Sequence, residues 1–222
     1  MRARKKTELC IFDLDGTLLD TIDDIANSLN RVLNASNFNG FDVDWYKKHV
    51  GRGARNLVLD ALPSDHGLND DGISGLVMSY KEDYRRNSMV FTKPYDGIHD
   101  VLRKLTAMSV KIAVITNKPQ ESTETLLREF FGDIDFVSVY GEKPDRPIKP
   151  DVFAAHEVLS LTGLLPEQVV HIGDAEVDMI FAENASIFSI GVLWGFRPRS
   201  ILEQHGAKAI IEHPKDILGC LI

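Results

Sequence analysis

Residues 9–21 read LCIFDLDGTLLDT. A short apolar run stops at Asp13, and Asp15, Gly16 and Thr17 follow. A run of this kind reads as a buried strand, so the chain leaves the interior by setting two carboxylates almost side by side. Like charges that close raise each other's cost of ionisation. A cation, or a shared chemical task, must offset that cost. A calcium loop does not supply the answer: it needs acids at positions 1, 3 and 5 and glycine at 6. Counting from Asp13, the glycine falls at position 4 and Leu18 stands at 6.

Further strands are expected at residues 111–115 (KIAVI) and 168–172 (QVVHI), with shorter candidates at 136–140, 187–191 and 207–211. Helical periodicity separates them at 97–108, 120–131, 152–162 and 177–184. Strands alternating with helices imply an α/β fold, a Rossmann-like three-layer core around a parallel sheet. Residues 22–87 break that rhythm with helical segments at 22–35, 43–50, 55–61 and 73–86, and a loop at 63–72 rich in Asp, Asn, Gly and Pro. This block is expected to be an inserted all-helical cap, spanning 21–90, on a core formed by 1–20 and 91–222.

Polar residues follow the expected strands at one end. Asp13 follows the first strand, Thr116 and Asn117 the second, Gly173 and Asp174 the third, with Asp178 four residues on. In parallel α/β sheets ligands bind at the carboxyl ends of the strands. Asp and Thr in such positions also serve as helix caps, but three strands delivering them to one edge, with a lysine to match, point to a site.

The chain has 222 residues, 44% hydrophobic and 26% charged, with a formal net charge of −8. The acidic balance argues against sequence-independent binding to nucleic acid or an anionic membrane, both of which need a basic face. Any phosphate must be held locally, against the overall field. Cys10 and Cys220 are too few for a disulfide framework, which suits a reducing, cytoplasmic setting. The basic start (Arg2, Arg4, Lys5, Lys6) reads as a solvated tail, because the apolar run after it is far shorter than the ~7–15 residues of a secretory signal. No apolar stretch approaches the ~20 residues of a membrane span. Nothing in the sequence fixes an oligomeric state.

Taken together, DLDGTLLDT, Thr116-Asn117, Lys149-Pro150 before a helix, and GDAEVD at 173–178 resemble the haloacid-dehalogenase-like hydrolases. VGRG at 50–53 and GVLWGFRPRSIL at 191–202 are similar to their phosphoglycolate-phosphatase-like branch, which carries a helical cap. The resemblance implies a Mg2+-dependent phosphatase acting on a small phosphorylated metabolite through an aspartyl-phosphate. It makes Asp13 the nucleophile and Asp15 the general acid and base. It places Mg2+ on the Asp13 side chain, the Asp15 backbone carbonyl and Asp174, with Asp178 holding metal-bound water or steadying Lys149. Thr116 and Asn117 would bind the transferring phosphoryl group, Lys149 would neutralise it, and Gly16 would bring its amide close. Two features depart from the family pattern: Val152 stands where a second proline is common, and Ser186 where glycine is usual.

The cap is expected to choose the substrate. Gly51-Arg52-Gly53, with Arg55 after it, is either a plain interhelix turn with exposed arginines or a turn brought close over the site. In the second case Arg52 meets the anionic end of the substrate, in the bidentate geometry a guanidinium offers a carboxylate. Lys143-Pro144 repeats the Lys-Pro pair, but Lys149 directly precedes a helix and is preferred. Trp194 and His171 read as core residues. The alternative enzyme, a phosphosugar mutase similar to beta-phosphoglucomutase, usually carries Glu-Asp where this chain has Gly173-Asp174. A non-catalytic module on the same fold would not need every one of these residue types.

Overall fold

The computed structural model describes residues 5–222; Arg2 and Arg4 of the basic start lie outside them, and Lys5 and Lys6 are exposed. The chain opens with β1 (Leu9–Phe12) and the short β2 (Leu19–Asp20), then four helices: α1 (Ile22–Ala35), α2 (Val43–His49), α3 (Ala54–Ala61) and α4 (Asp70–Asn87). It returns through β3 (Lys93–Pro94) and alternates: α5 (Ile98–Ala107), β4 (Lys111–Pro119), α6 (Gln120–Phe131), β5 (Phe136–Glu142) and α7 (Phe153–Thr162). The remainder is β6 (Val169–Gly173), α8 (Glu176–Asn184), β7 (Phe188–Val192), α9 (Arg199–Gln204) and β8 (Ala209–Ile211).

Six strands form one parallel sheet in the order β5-β4-β1-β6-β7-β8. Side chains alternate across it. Cys10 and Phe12 join Ile98 and Leu102 of α5 and Leu126 of α6 on one face. Leu9 and Ile11 join Ala155 and Val158 of α7 and Phe181 of α8 on the other. Both faces are covered, so the central strands are apolar throughout, as parallel strands must be. His171 lies on the second face, fully buried, its ring edge-on to Phe181 at 4.9 Å. Trp194 packs against the first face and donates from Nε1 to the Thr17 carbonyl at 3.0 Å.

Three local details depart from the sequence reading. β4 runs on to Pro119, so Thr116, Asn117 and Lys118 stand on the strand's last stretch instead of after it. α4 begins at Asp70, inside the supposed loop, because the Asn69 side chain accepts from the Gly72 amide and caps it. Ser186 adopts a left-handed φ of 58° after α8, a conformation that glycine takes without strain.

The helices α1–α4 pack mainly on one another around Leu29, Leu33, Tyr46, Val58 and Tyr80. They are entered and left side by side: β2 pairs antiparallel with β3, Leu19 opposite Pro94 and Asp20 opposite Lys93. Asp24 in the first turn of α1 fastens this doorway. Its Oδ2 accepts from the Thr92 amide and hydroxyl, both at 2.8 Å, and from the Phe91 amide at 3.0 Å. Asp24 is buried whereas Asp23 is exposed. Removing the shared acceptor strands several donors away from water. Asp24→Ala is therefore expected to cost about 2–4 kcal/mol in urea unfolding. Asp23→Ala should cost under about 1 kcal/mol, the scale of a helix-dipole contact. Equal losses would show that the doorway bonds contribute nothing.

Candidate active site

The carboxyl ends of β1, β4 and β6 and the segment before α7 converge beneath α1–α4. Asp13, Asp174 and Asp178 offer carboxylate oxygens that all lie within 4.8 Å of one another, and all three residues are buried. Lys149 enters this cluster with its side chain 1% exposed. Its Nζ lies 2.9 Å from Asp13 Oδ1 and 2.6 Å from Asp178 Oδ1. Lys149, not Lys143, is the lysine at Asp13.

The surroundings set the protonation of each group. Burial pushes the Asp13 carboxyl up to about 6, with Lys149 opposing and Asp178 adding to the rise. Burial, then the Asp178 and Asp13 charges, hold Asp174 well above the carboxylate range. Asp178 goes the other way: burial would raise it, but Lys149 and His171 together hold it well below. Burial alone would lower the Lys149 ammonium, yet Asp13 and Asp178 keep it above its ordinary value. Burial lowers His171 despite Asp178, and its Nε2, 3.0 Å from Asp178 Oδ1, is the donor because a carboxylate oxygen can only accept.

A hard cation fits this donor set. Three buried carboxylates whose oxygens lie close together face one ammonium, and all donors are oxygen. Asp13 and Asp174 are the side chains that could hold a cation. Asp178 stands behind them, its Oδ1 taken by Lys149 and His171 and its Oδ2 accepting from the Ala175 amide at 3.1 Å. Asp174 is fixed by two donors, the Thr17 hydroxyl at 3.1 Å and the Phe196 amide at 2.7 Å. The space is tight. A Cβ on Gly16, whose φ is 82°, or on Gly195 would collide with the Asp174 side chain.

Asp15 turns from this cluster to Lys118, whose Nζ reaches its two oxygens at 2.8 and 3.1 Å. The same ammonium donates to the Tyr84 hydroxyl of α4 at 2.7 Å and lies 4.2 Å from that ring's centroid. Thr116 and Asn117 are buried beside the cluster. The Asn117 side chain is a tie: Nδ2 donates to the Gly51 and Lys149 carbonyls, each at 2.9 Å, and Oδ1 accepts from the Lys149 amide at 2.8 Å. Arg197 joins the same two parts of the molecule. It is paired with Glu176 at 2.7 Å and donates to the carbonyls of Lys47 and Val50 at the end of α2.

Two expectations come out differently. The Gly16 amide donates to the Leu19 carbonyl at 2.9 Å, so this glycine serves the site by its missing side chain. Arg52 does not line the cavity over the aspartates: Asp60 of α3 captures its guanidinium on the exposed side. Arg55 is likewise drawn to Asp70 at 2.8 Å. The residues that sequence reasoning missed are Lys118, Tyr84, Phe196 and Arg197. Lys118 had a signal, since it follows Thr116-Asn117 directly, but a lysine past a strand reads as surface. Phe196 and Arg197 lay in a stretch noted only for its resemblance.

The sequence pattern of the haloacid dehalogenase-like hydrolases matches residues 10–192. The phosphoglycolate phosphatase of Pseudomonas putida is 30% identical over 215 residues, which cover 96% of this chain and 79% of that protein. A crystal structure from Lactobacillus delbrueckii subsp. bulgaricus, provisionally assigned as a phosphoglycolate phosphatase, superposes with a TM-score of 0.89 at 28% identity, covering 98% of this chain and 99% of that one. Another from Haemophilus somnus, with the same provisional assignment, gives 0.90 at 26% identity, covering 97% and 98%. Among the described residues no helix is long and apolar enough to cross a membrane.

The raised Asp13 carboxyl gives a signed prediction. Its ordinary value is 3.8 and its folded value about 6, so between these the native state binds more protons than the unfolded one. The metal-free protein therefore loses stability as pH rises through that window. A divalent cation should reverse the loss. Near pH 7.5, magnesium at about a hundred times its Kd should raise Tm by roughly 5–10 °C. The shift should shrink toward pH 5 and vanish in Asp174→Asn. A pH-independent shift, or one retained in Asp174→Asn, would place the cation elsewhere.

Proposed function

We propose that this chain, which belongs to the haloacid dehalogenase-like hydrolases, is a Mg2+-dependent cytoplasmic phosphatase that hydrolyses a small phosphomonoester, 2-phosphoglycolate or a close relative, through an aspartyl-phosphate on Asp13. The observation that carries this reading is the pairing of Asp13 with Lys149 inside a buried carboxylate cluster. The phosphoric monoester hydrolase class rests on the relatives that share it over nearly the whole chain. The names of those relatives support the substrate, and the acidic, oxygen-only donor set supports magnesium.

In this reading residues 1–20 and 91–222 are the catalytic core and 21–90 a cap that covers it. The separate hydrophobic cluster of α1–α4 and the paired β2 and β3 at their base support the division. Asp13, Asp174 and the Asp15 carbonyl would hold Mg2+, which would supply charge neutralisation for the phosphoryl oxygens and the clustered acids. The Thr116 hydroxyl and the Asn117 amide orient the phosphoryl group, and Lys149 balances its charge while holding Asp13 in line. An Asp13 oxygen then bonds to phosphorus as the bond to the leaving oxygen breaks. The Asp15 carboxyl gives its proton to that leaving oxygen. Asp15, now a carboxylate, takes a proton from water as the water oxygen attacks phosphorus, releasing phosphate and restoring Asp13. Closed helices exclude water from the first step, and opening admits it for the second.

Asp13→Asn is expected to abolish turnover while leaving the circular dichroism spectrum unchanged. Asp15→Asn should slow phosphorylation by 2-phosphoglycolate about a hundredfold or more, and phosphorylation by a nitrophenyl phosphate much less, because that leaving group needs little protonation. Near-native turnover by folded Asp13→Asn would overturn the mechanism. Equal losses for the two substrates in Asp15→Asn would remove its acid role.

A further inference from the structure

The cavity above Asp13 takes its apolar lining from Ile25, Val50, Leu57, Tyr80 and Phe196. Such walls offer little to a sugar, whose hydroxyls would each lose water without gaining a partner. Among the described residues lining the cavity, Lys81 and Lys118 are the cations. Lys81 is partly exposed and directed to Glu142 at 3.2 Å. Lys149 is committed to Asp13 and Asp178, and Arg52 and Arg55 to Asp60 and Asp70. Lys118 is different. Its side chain is 3% exposed, it reaches the cavity beside Asp15, and Tyr84 fixes its ammonium from the other side.

We propose that Lys118 is the specificity-determining residue for the leaving group: its ammonium exchanges Asp15 for the carboxylate of a short hydroxy-acid portion of the substrate. This rests on the phosphatase reading above. An ammonium carries three donors; Tyr84 keeps one, and Asp15 holds the others in the structure described here. Exchanging one carboxylate for another at a buried ammonium replaces a charged hydrogen bond with its equal, so the step is close to balanced. Its consequence is directional. Asp15, released from Lys118 as a carboxylate, takes a proton from solvent and turns with it to the leaving oxygen. A neutral leaving group forms no such contact, and Asp15 stays held. Recognition of the anionic end and delivery of the acid are thus one event, and the apolar walls limit that end to a few atoms.

The test compares 2-phosphoglycolate with ethyl phosphate, which differ in the carboxylate, in the native enzyme and in Lys118→Met. Any general effect of the substitution on Asp15 or on folding divides out of the ratio of their kcat/KM values. The native ratio should favour 2-phosphoglycolate by about ten- to a hundredfold or more, the worth of a charged hydrogen bond, and Lys118→Met should bring it near one. A ratio retained in Lys118→Met overturns the proposal. So does a native ratio near one, which decides the matter even where the variant does not fold. In both cases turnover itself leaves the phosphatase reading standing. No hydrolysis of any phosphomonoester by the native enzyme would overturn both.

Discussion

One buried ammonium faces three buried carboxylates at the end of the central strands, and much of the molecule is arranged around that imbalance. Lys149 is within 3 Å of both Asp13 and Asp178. In a protein interior each such contact is strong, but a lone charge there is expensive, so neither side can move independently. Asp178 is the acid that stays charged, because His171, the Ala175 amide and Lys149 all donate to it. Burial first, and the neighbouring carboxylate charges after it, raise the protonation of Asp13 and Asp174, which is the state a cation relieves. The tightest points of the backbone follow from the same crowding, and a Cβ on Gly173 would run into the Asp178 side chain. Gly16 and Gly195 lie against Asp174 where no side chain fits.

The helical block is tied to the cluster through residues that already serve it. Asn117 holds the Lys149 backbone from both sides and reaches across to Gly51. The segment 194–197 does the same from the other flank: Trp194 grips Thr17, the Phe196 amide grips Asp174, and Arg197 closes on the carbonyl end of α2. A cation at a helix C-terminus is favourably placed, and here Glu176 orients it. Lys118 adds a third tie, from Asp15 to Tyr84. Movement of the helices would therefore be felt at Asp15, Asp174 and Lys149 together.

Much of this was legible in the chain. The apolar runs ending in Asp13, Thr116 and Asp174 marked strands and their common edge, because parallel strands buried on both faces leave polar residues only where they stop. Even the short runs at 136–140, 187–191 and 207–211 fall within or beside β5, β7 and β8. What was not legible is which partner the fold gives each group. Arg52 looked available until Asp60, one helix face away, claimed it. Lys118 looked like a surface lysine because its reasons for burial, Asp15 and Tyr84, lie 103 and 34 positions off. The Gly16 amide was spent locally on Leu19, a turn geometry that residue types alone do not specify.

The central claim is that Asp13 carries the phosphoryl group between the two half-reactions. Borohydride reduces an acyl phosphate to an alcohol, so trapping the native enzyme during turnover converts a phosphorylated aspartate to homoserine. Peptide mass spectrometry should then find homoserine at position 13, dependent on substrate and on magnesium. Homoserine at another aspartate, or none under conditions of demonstrated turnover, would contradict the account.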